Sequence, residues 1–102
     1  MPAKARAKLR WIIGFMETRK DWGNTPYFSP LVGYAGIGEI KFKAQNKQYR
    51  PLGCYGPGIY EFTLLIGSEE KGDKFKPLSA PETAVKRRKL ILQDARYTDD
   101  YY

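Results

Sequence analysis

The sequence predicts a single α+β domain over residues 1–102, with a helix near each end and an antiparallel β-meander of about three strands between them. Apolar residues recur at helical spacing in the first twenty residues and after residue 79, while the middle of the chain alternates polar and apolar side chains. Gly and Pro separate these segments, and neither an internal repeat nor a linker divides the chain. An apolar fraction of 42% is enough for one folded core.

The first helix is predicted over residues 3–20. Its apolar face consists of Ala5, Leu9, Ile12, Ile13 and Met16. Its opposite face carries the cations Lys4, Arg6, Lys8 and Arg10. Cations in a first turn oppose the helix dipole, a small local cost that a surface role would justify. Residues 21–38 follow with two prolines and four glycines, and are predicted to form a long loop.

The meander is predicted to begin with a strand at residues 39–44, where every second side chain is apolar. Residues 45–47 are predicted as a hairpin turn, and residues 48–54 as the returning strand, with a bulge near Pro51. Residues 59–67 form the third and most apolar strand. The following residues, EEKGDKFKP at 69–77, are predicted as a polar loop.

The second helix follows Ser79-Ala80-Pro81-Glu82 and is predicted to run to about residue 93. These four residues match a capping box, in which the serine accepts from a backbone N–H and the glutamate reaches back. Residues 86–89 form a basic run, which fits a solvated helix face as well as a phosphate-facing one.

Charge and residue types limit the function. With 18 Lys and Arg against 11 Asp and Glu, the net charge of +7 fits either a solvated basic surface or a polyanion partner, with nucleic acid ahead of an anionic membrane. The absence of histidine excludes Ser-His and Cys-His pairs, and the single Cys54 excludes a multi-cysteine metal site. No run reaches the ~18 apolar residues of a membrane span. We therefore expect a cytoplasmic protein with no membrane partner, no metal and no cofactor.

A basic hairpin beside aromatic residues lies at residues 38–53, GEIKFKAQNKQYRPLG. In a nucleic-acid interpretation, Lys41, Lys43 and Lys47 hold phosphates and Tyr49 stacks on a base. Tyrosines on strands are more often packing residues, so a half-buried Tyr49 fits the same pattern.

Four strings occur in a familiar order along the chain: PAKARAK at residues 2–8, GIGEIKFK at 36–43, QYRPLG at 48–53 and FTLLIGSEEKGDKFKP at 62–77. Together they resemble the first helix, the Gly…Glu-Leu-Arg strand, the Tyr-Arg-x-Leu strand and the lysine loop of the RelE/HigB toxin superfamily. The phage-derived HigB-like branch is the most similar. The resemblance covers nearly the whole chain, and the string at 48–72 is its most specific part.

This resemblance implies a toxin of a type II toxin–antitoxin system. The activity implied is that of an mRNA interferase, a metal-independent and usually ribosome-dependent endoribonuclease in which a 2′-OH attacks the adjacent phosphodiester. Its partners would be mRNA, the ribosome and a cognate antitoxin. Arg50 occupies the family's strongest functional position and would be the catalytic residue that stabilises the phosphate, with Lys71 or Lys74 assisting. The RNA-binding residues are then Lys41, Lys43, Lys47, Tyr49, Arg87 and Arg88. The superfamily often places functional residues near the C-terminus, where this chain has Arg96 and Tyr97.

Other classes of function stay open at this point. Lys41 stands where the family has arginine, and lysine lacks the bidentate fork of a guanidinium. A degenerate toxin or a non-catalytic nucleic-acid-binding module would keep the fold and charge without the chemistry. A third alternative is a ParE-like inhibitor of a protein target such as gyrase.

Overall fold

The structure, a computed structural model, describes residues 1–19, 22, 25–56 and 61–93. In chain order its elements are α1 (Ala3–Glu17), β1 (Phe28–Pro30), β2 (Gly38–Ile40), β3 (Phe42–Ala44), β4 (Lys47–Tyr49), β5 (Leu52–Tyr55), β6 (Phe62–Ile66), β7 (Glu69–Lys71), β8 (Lys74–Lys76) and α2 (Ala80–Gln93). The predicted α+β class, with antiparallel strands between two helices, is confirmed. The prediction of about three strands is wrong, because the described residues form eight strands in two four-stranded sheets.

The predicted strands are divided by bends that carry the chain from one sheet to the other. The first sheet has the order β1-β2-β5-β6 and the second β3-β4-β7-β8. Lys41 separates β2 from β3, Arg50 and Pro51 separate β4 from β5, and residues 67–68 separate β6 from β7. Every neighbouring pair is antiparallel, and the chain continues from one sheet to the other at each bend, so the two sheets form one bent meander.

Two segments predicted as loops contain strands. β1 interrupts the predicted loop at 21–38 and pairs with β2 from Phe28↔Ile40 to Pro30↔Gly38. The predicted polar loop at 69–77 is instead the hairpin β7–β8. Gly72 and Asp73 close it with φ angles of 56° and 63°, the left-handed values that two-residue hairpin turns need.

The hairpin turn between β3 and β4 was predicted at residues 45–47 and consists of Gln45 and Asn46, with φ angles of 51° and 64°. Lys47 is already part of β4, where it pairs with Ala44. The predicted bulge is present as a register shift between Leu52 and Gly53, one residue beyond Pro51. The start of the third predicted strand, residues 59 and 60, lies outside the described residues.

α1 packs against β6 of the first sheet and β3 of the second, and α2 packs against the opposite face of the first sheet. The α1 cluster combines Ala5, Leu9, Ile12 and Met16 with Leu64 and other strand residues, whereas the α2 cluster combines Ala80, Ala84 and Ile91 with Leu52, Cys54 and Leu65. Neighbouring strand residues point to opposite faces, so Leu64 and Leu65 place β6 between the two helices. This explains why β6 is apolar along nearly its whole length.

The end of α1 differs from the prediction, and the start of α2 has a contact that the sequence did not predict. α1 stops at Glu17, and the Thr18 hydroxyl donates to the Phe15 carbonyl at 2.7 Å; residue 20 lies outside the described residues. At the start of α2, the Glu82 carboxylate accepts a hydrogen bond from the Tyr34 hydroxyl at 3.0 Å, a tertiary contact that a capping box does not predict. None of the described helices has the length and apolar character needed to cross a membrane.

Candidate nucleic-acid interface

Arg50 lies at the bend between β4 and β5, and three side chains hold its guanidinium. Nε and Nη2 donate to Glu39 Oε2 at 3.0 and 2.7 Å, and Nη1 lies 3.4 Å from Glu70 Oε1. The guanidinium carbon lies 3.9 Å from the centre of the Phe75 ring, within cation–π range. Arg50 therefore joins β2, β7 and β8 around the bend.

The backbone around Arg50 fixes this position. Its N–H donates to the Ser68 carbonyl at 2.9 Å, and the Ser68 hydroxyl donates back to the Arg50 carbonyl. The side chains of Arg50 and Glu39 are only 12% and 8% exposed. A buried carboxylate without a cation costs several kcal/mol, so Glu39 needs this partner. Arg50 was predicted to stabilise a phosphate, and in the structure its guanidinium is directed at the carboxylates of Glu39 and Glu70.

Three lysines lie across neighbouring strands at one end of the second sheet. Lys71 pairs directly with Lys74, and Tyr49 pairs with Glu69. When the register of β4 and β7 is continued by two residues from this pair, Lys47 lies opposite Lys71. Opposed residues of an antiparallel pair share a face, so Lys47, Lys71 and Lys74 form one lysine row. Like charges at opposed positions destabilise a sheet, and a bound anion would relieve that repulsion.

An open groove of about 300 Å³ adjoins the lysine row. It is lined by Asn46, Lys47, Gln48, Glu69, Glu70, Lys71 and Lys76. The cations suit a phosphate, and the amides and carboxylates suit the hydrogen-bonding groups of a ribose or base. Lys47 Nζ lies 3.7 Å from Glu69 Oε1, so part of the local charge is balanced. The Glu70 side chain contacts Arg50 and, by strand alternation, lies on the opposite face of β7 from the lysine row.

The predicted phosphate ligands Lys41 and Lys43 lie elsewhere on the meander. Lys41 is at the bend between β2 and β3, with Nζ 3.8 Å from Glu39 Oε1. Lys43 pairs with Gln48, which is the residue next to Lys47 in β4. Because neighbouring strand residues point to opposite faces, the Lys43 side chain lies on the opposite face from the lysine row. Both side chains are exposed, but the structure does not bring them together with the row.

Three other predicted RNA-binding residues serve packing in the described structure. Tyr49 is 1% exposed and stacks on Phe42 in the α1 cluster, so its ring is not presented to a base. Arg87 donates through Nη1 to the Leu65 carbonyl at 2.7 Å. Arg88 covers Gly36, where an added Cβ would come within 2.6 Å of the guanidinium carbon. The groove lining includes none of these three residues.

Other reactive groups do not point to a second site. Burial raises the pKa of the Cys54 thiol, an effect that nearby Arg88 partly opposes, which makes it a poor nucleophile near neutral pH. Within the described parts of the chain, no group of three or more metal-ligating side chains could hold a metal ion. Arg96 and Tyr97 lie outside the described residues.

Two carboxylates central to this site were missed by the sequence predictions. Glu39 alternates with Lys41 and Lys43, so the pattern assigns all three to a solvated face. Glu70 falls in the segment predicted as a loop. The signal that would have revealed Glu70 is the Gly72-Asp73 turn. A two-residue turn of this kind joins paired strands, and here it joins residues 69–71 to residues 74–76.

Comparison with known proteins adds no assignment: no family model, no curated protein and no solved structure matches the chain.

Proposed function

We propose that this protein is an RNA-cleaving toxin of the RelE/HigB type, and that RNA binds in the groove beside the lysine row. The observation that carries the proposal is the row itself, in which Lys71 and Lys74 are direct cross-strand partners and Lys47 extends the line. Three neighbouring ammonium groups destabilise a free sheet, and binding of phosphates would remove that cost.

The reaction proposed follows from the resemblance. The ribose 2′-OH attacks the adjacent phosphorus, giving a 2′,3′-cyclic phosphate and a 5′-OH. Negative charge grows on the phosphoryl oxygens in the transition state, and lysine ammonium groups in the groove would stabilise it. Removing one such donor costs about 3 kcal/mol in the transition state, roughly a hundredfold in rate. The proposed partners are mRNA, the ribosome and an antitoxin whose acidic segment covers this basic surface.

A cleavage assay with matched charge variants tests the proposal. The purified protein is incubated with end-labelled RNA in EDTA and, separately, with mRNA on translating ribosomes. We expect cleavage in at least one assay, with about a hundredfold loss in Lys71→Gln/Lys74→Gln. The control Lys86→Gln/Lys89→Gln removes the same charge from exposed positions on α2 and should cleave like the wild type. Intact RNA in both assays with the wild type contradicts the proposal.

One observation favours a second candidate, a non-catalytic RNA-binding protein. Arg50, the predicted phosphate-stabilising residue, is nearly buried and paired with two carboxylates. RNA binding that depends on the lysine row, without cleavage in either assay, would support this second function.

A further inference from the structure

One side of α1 presents aromatic rings between cations. Residues three or four positions apart lie in line along a helix, so five side chains share this side, the last of them just beyond the end of the helix. The most exposed ring is that of Trp11, at 61%, although tryptophan is usually among the well-covered residues. We call this set the α1 stripe, and it consists of Lys4, Lys8, Trp11, Phe15 and Arg19.

We propose that the α1 stripe binds single-stranded RNA, with one base stacked on the Trp11 indole and the neighbouring phosphates held by Lys4 and Lys8. This inference rests on the RNA binding of the proposed function, and it gives the same RNA a second contact outside the groove. A base presents a flat face and a phosphate presents a negative charge, so a surface that combines rings with cations matches both.

The rings of the α1 stripe are held in place by their mutual contacts. The centres of the Trp11 and Phe15 rings lie 5.6 Å apart with 13° between their planes, and Tyr27 meets both rings at right angles or nearly so. The guanidinium carbon of Arg19 lies 4.3 Å from the centre of the Phe15 ring. Guanidinium, phenyl and indole therefore follow one another along the helix, and a base on Trp11 would continue this series towards Lys8.

The charges around these rings favour an anionic ligand. Glu17 is the one acidic residue of α1, and its carboxylate accepts a hydrogen bond from the Phe62 N–H at 2.8 Å, which directs it towards β6. Lys8 Nζ donates to the Lys43 carbonyl at 2.7 Å, a contact that positions the ammonium group without neutralising its charge. An acidic peptide would satisfy the cations alone, whereas RNA also uses the stacked rings.

The α1 stripe and the lysine row lie on the same face of the second sheet. α1 packs on this face against Phe42 and Ala44 of β3. Ala44 pairs with Lys47, so the first lysine of the row shares the face. Lys8 contacts the backbone of β3 at Lys43, the residue between Phe42 and Ala44. An RNA strand bound at the row therefore reaches the stripe without passing around an edge of the sheet.

Removal of the indole tests the stacking contact. Trp11→Ala should bind a fluorescein-labelled oligoadenylate roughly 5- to 150-fold more weakly, the range expected for one base stacked on an aromatic ring. The slope of log K against log salt should not change, since no charge is removed. Inorganic polyphosphate, which has no bases, should bind Trp11→Ala and the wild type equally. Leu92→Ala, which removes an exposed apolar side chain from α2, is the matched control and should bind RNA like the wild type.

Tryptophan fluorescence gives a readout that a purely structural role of the ring would not change. The chain has two tryptophans, and Trp22 is only 7% exposed. Unlabelled oligoadenylate should therefore quench the exposed Trp11 in the wild type. Trp11→Phe keeps a ring against Phe15, so it should fold like the wild type by circular dichroism and lose the quenching.

The outcomes separate this inference from the proposed function. RNA affinity unchanged in Trp11→Ala, or quenching that persists in Trp11→Phe, overturns the inference and leaves RNA binding at the lysine row intact. Equal losses of affinity for oligoadenylate and polyphosphate in Trp11→Ala also overturn it, because the ring would then not act on a base. Failure of the wild type to bind any RNA overturns both proposals.

Discussion

The guanidinium of Arg50 donates twice to one carboxylate oxygen of Glu39, through Nε at 3.0 Å and Nη2 at 2.7 Å. The two side chains are nearly buried, and they connect the bend between β4 and β5 to the centre of the first sheet. This pair gives Arg50 a part in the stability of the fold.

Removing the arginine should destabilise the protein. Arg50→Ala leaves the buried Glu39 with only the longer contact to Lys41 and removes the cation beside Glu70, so the free energy of unfolding should fall by about 3 kcal/mol. Urea denaturation followed by circular dichroism measures the change. The exposed Lys89→Ala should stay within about 0.5 kcal/mol of the wild type. Equal stabilities of Arg50→Ala and Lys89→Ala would show that the ion pair does not support the fold.

The salt dependence of RNA binding should identify the lysine row. For single strands, log K falls with log salt at a slope of about −0.7 per phosphate contact, so Lys71→Gln/Lys74→Gln should reduce the slope by about 1.4. Lys86→Gln/Lys89→Gln should leave it unchanged. Fluorescence anisotropy over a salt series gives both slopes, and equal reductions in the two double variants would mean that binding does not localise to the row.

Two glycines should respond in opposite directions to alanine. An added Cβ at Gly14, an exposed position inside α1, meets nothing within 4 Å. Gly14→Ala should therefore stabilise the protein by about 0.5–1 kcal/mol. At Gly53 a Cβ would lie 2.2 Å from Phe62 Cζ and 2.6 Å from the Thr63 carbonyl oxygen. Gly53→Ala should cost about 1–3 kcal/mol through overpacking. Thermal unfolding of both variants checks the signs, and a stabilising Gly53→Ala would contradict the packing of β5 on β6.

Cys54 should react slowly with alkylating agents in the folded protein. Burial raises the pKa of its thiol, and only the thiolate is nucleophilic, so at pH 8 the reaction should be slower than that of a free cysteine with a pKa of about 8.5. The rate should rise with pH and increase sharply in urea. Iodoacetamide labelling followed by mass spectrometry measures it, and equal rates for folded and unfolded protein would contradict the burial of Cys54.

The helices were predictable from sequence because each buries one face at regular spacing. The bends were not, since the alternation of Ile40, Phe42 and Ala44 continues through the break at Lys41. β7 and β8 form an exposed hairpin, and most of their side chains are polar. A polar segment without apolar alternation predicts a loop, so these two strands were missed.

The candidate site was less predictable than the fold. Lys47, Lys71 and Lys74 were recognised by charge and resemblance, but their alignment in one row depends on the register of β4, β7 and β8. The roles of the two carboxylates could not be predicted, because they arise from contacts between residues distant in sequence. Glu39 is eleven positions from Arg50, and only the folded meander brings the two side chains together.

Chemical analysis of the RNA ends produced by the wild-type protein tests the central proposal most directly. We expect fragments with a 2′,3′-cyclic phosphate on one side of the cut and a 5′-OH on the other, and no cut where the nucleotide before the scissile bond is 2′-deoxy. Cleavage that persists at the 2′-deoxy position would contradict attack by the 2′-OH. RNA that stays intact, both free and on ribosomes, would contradict an RNA-cleaving role for the groove.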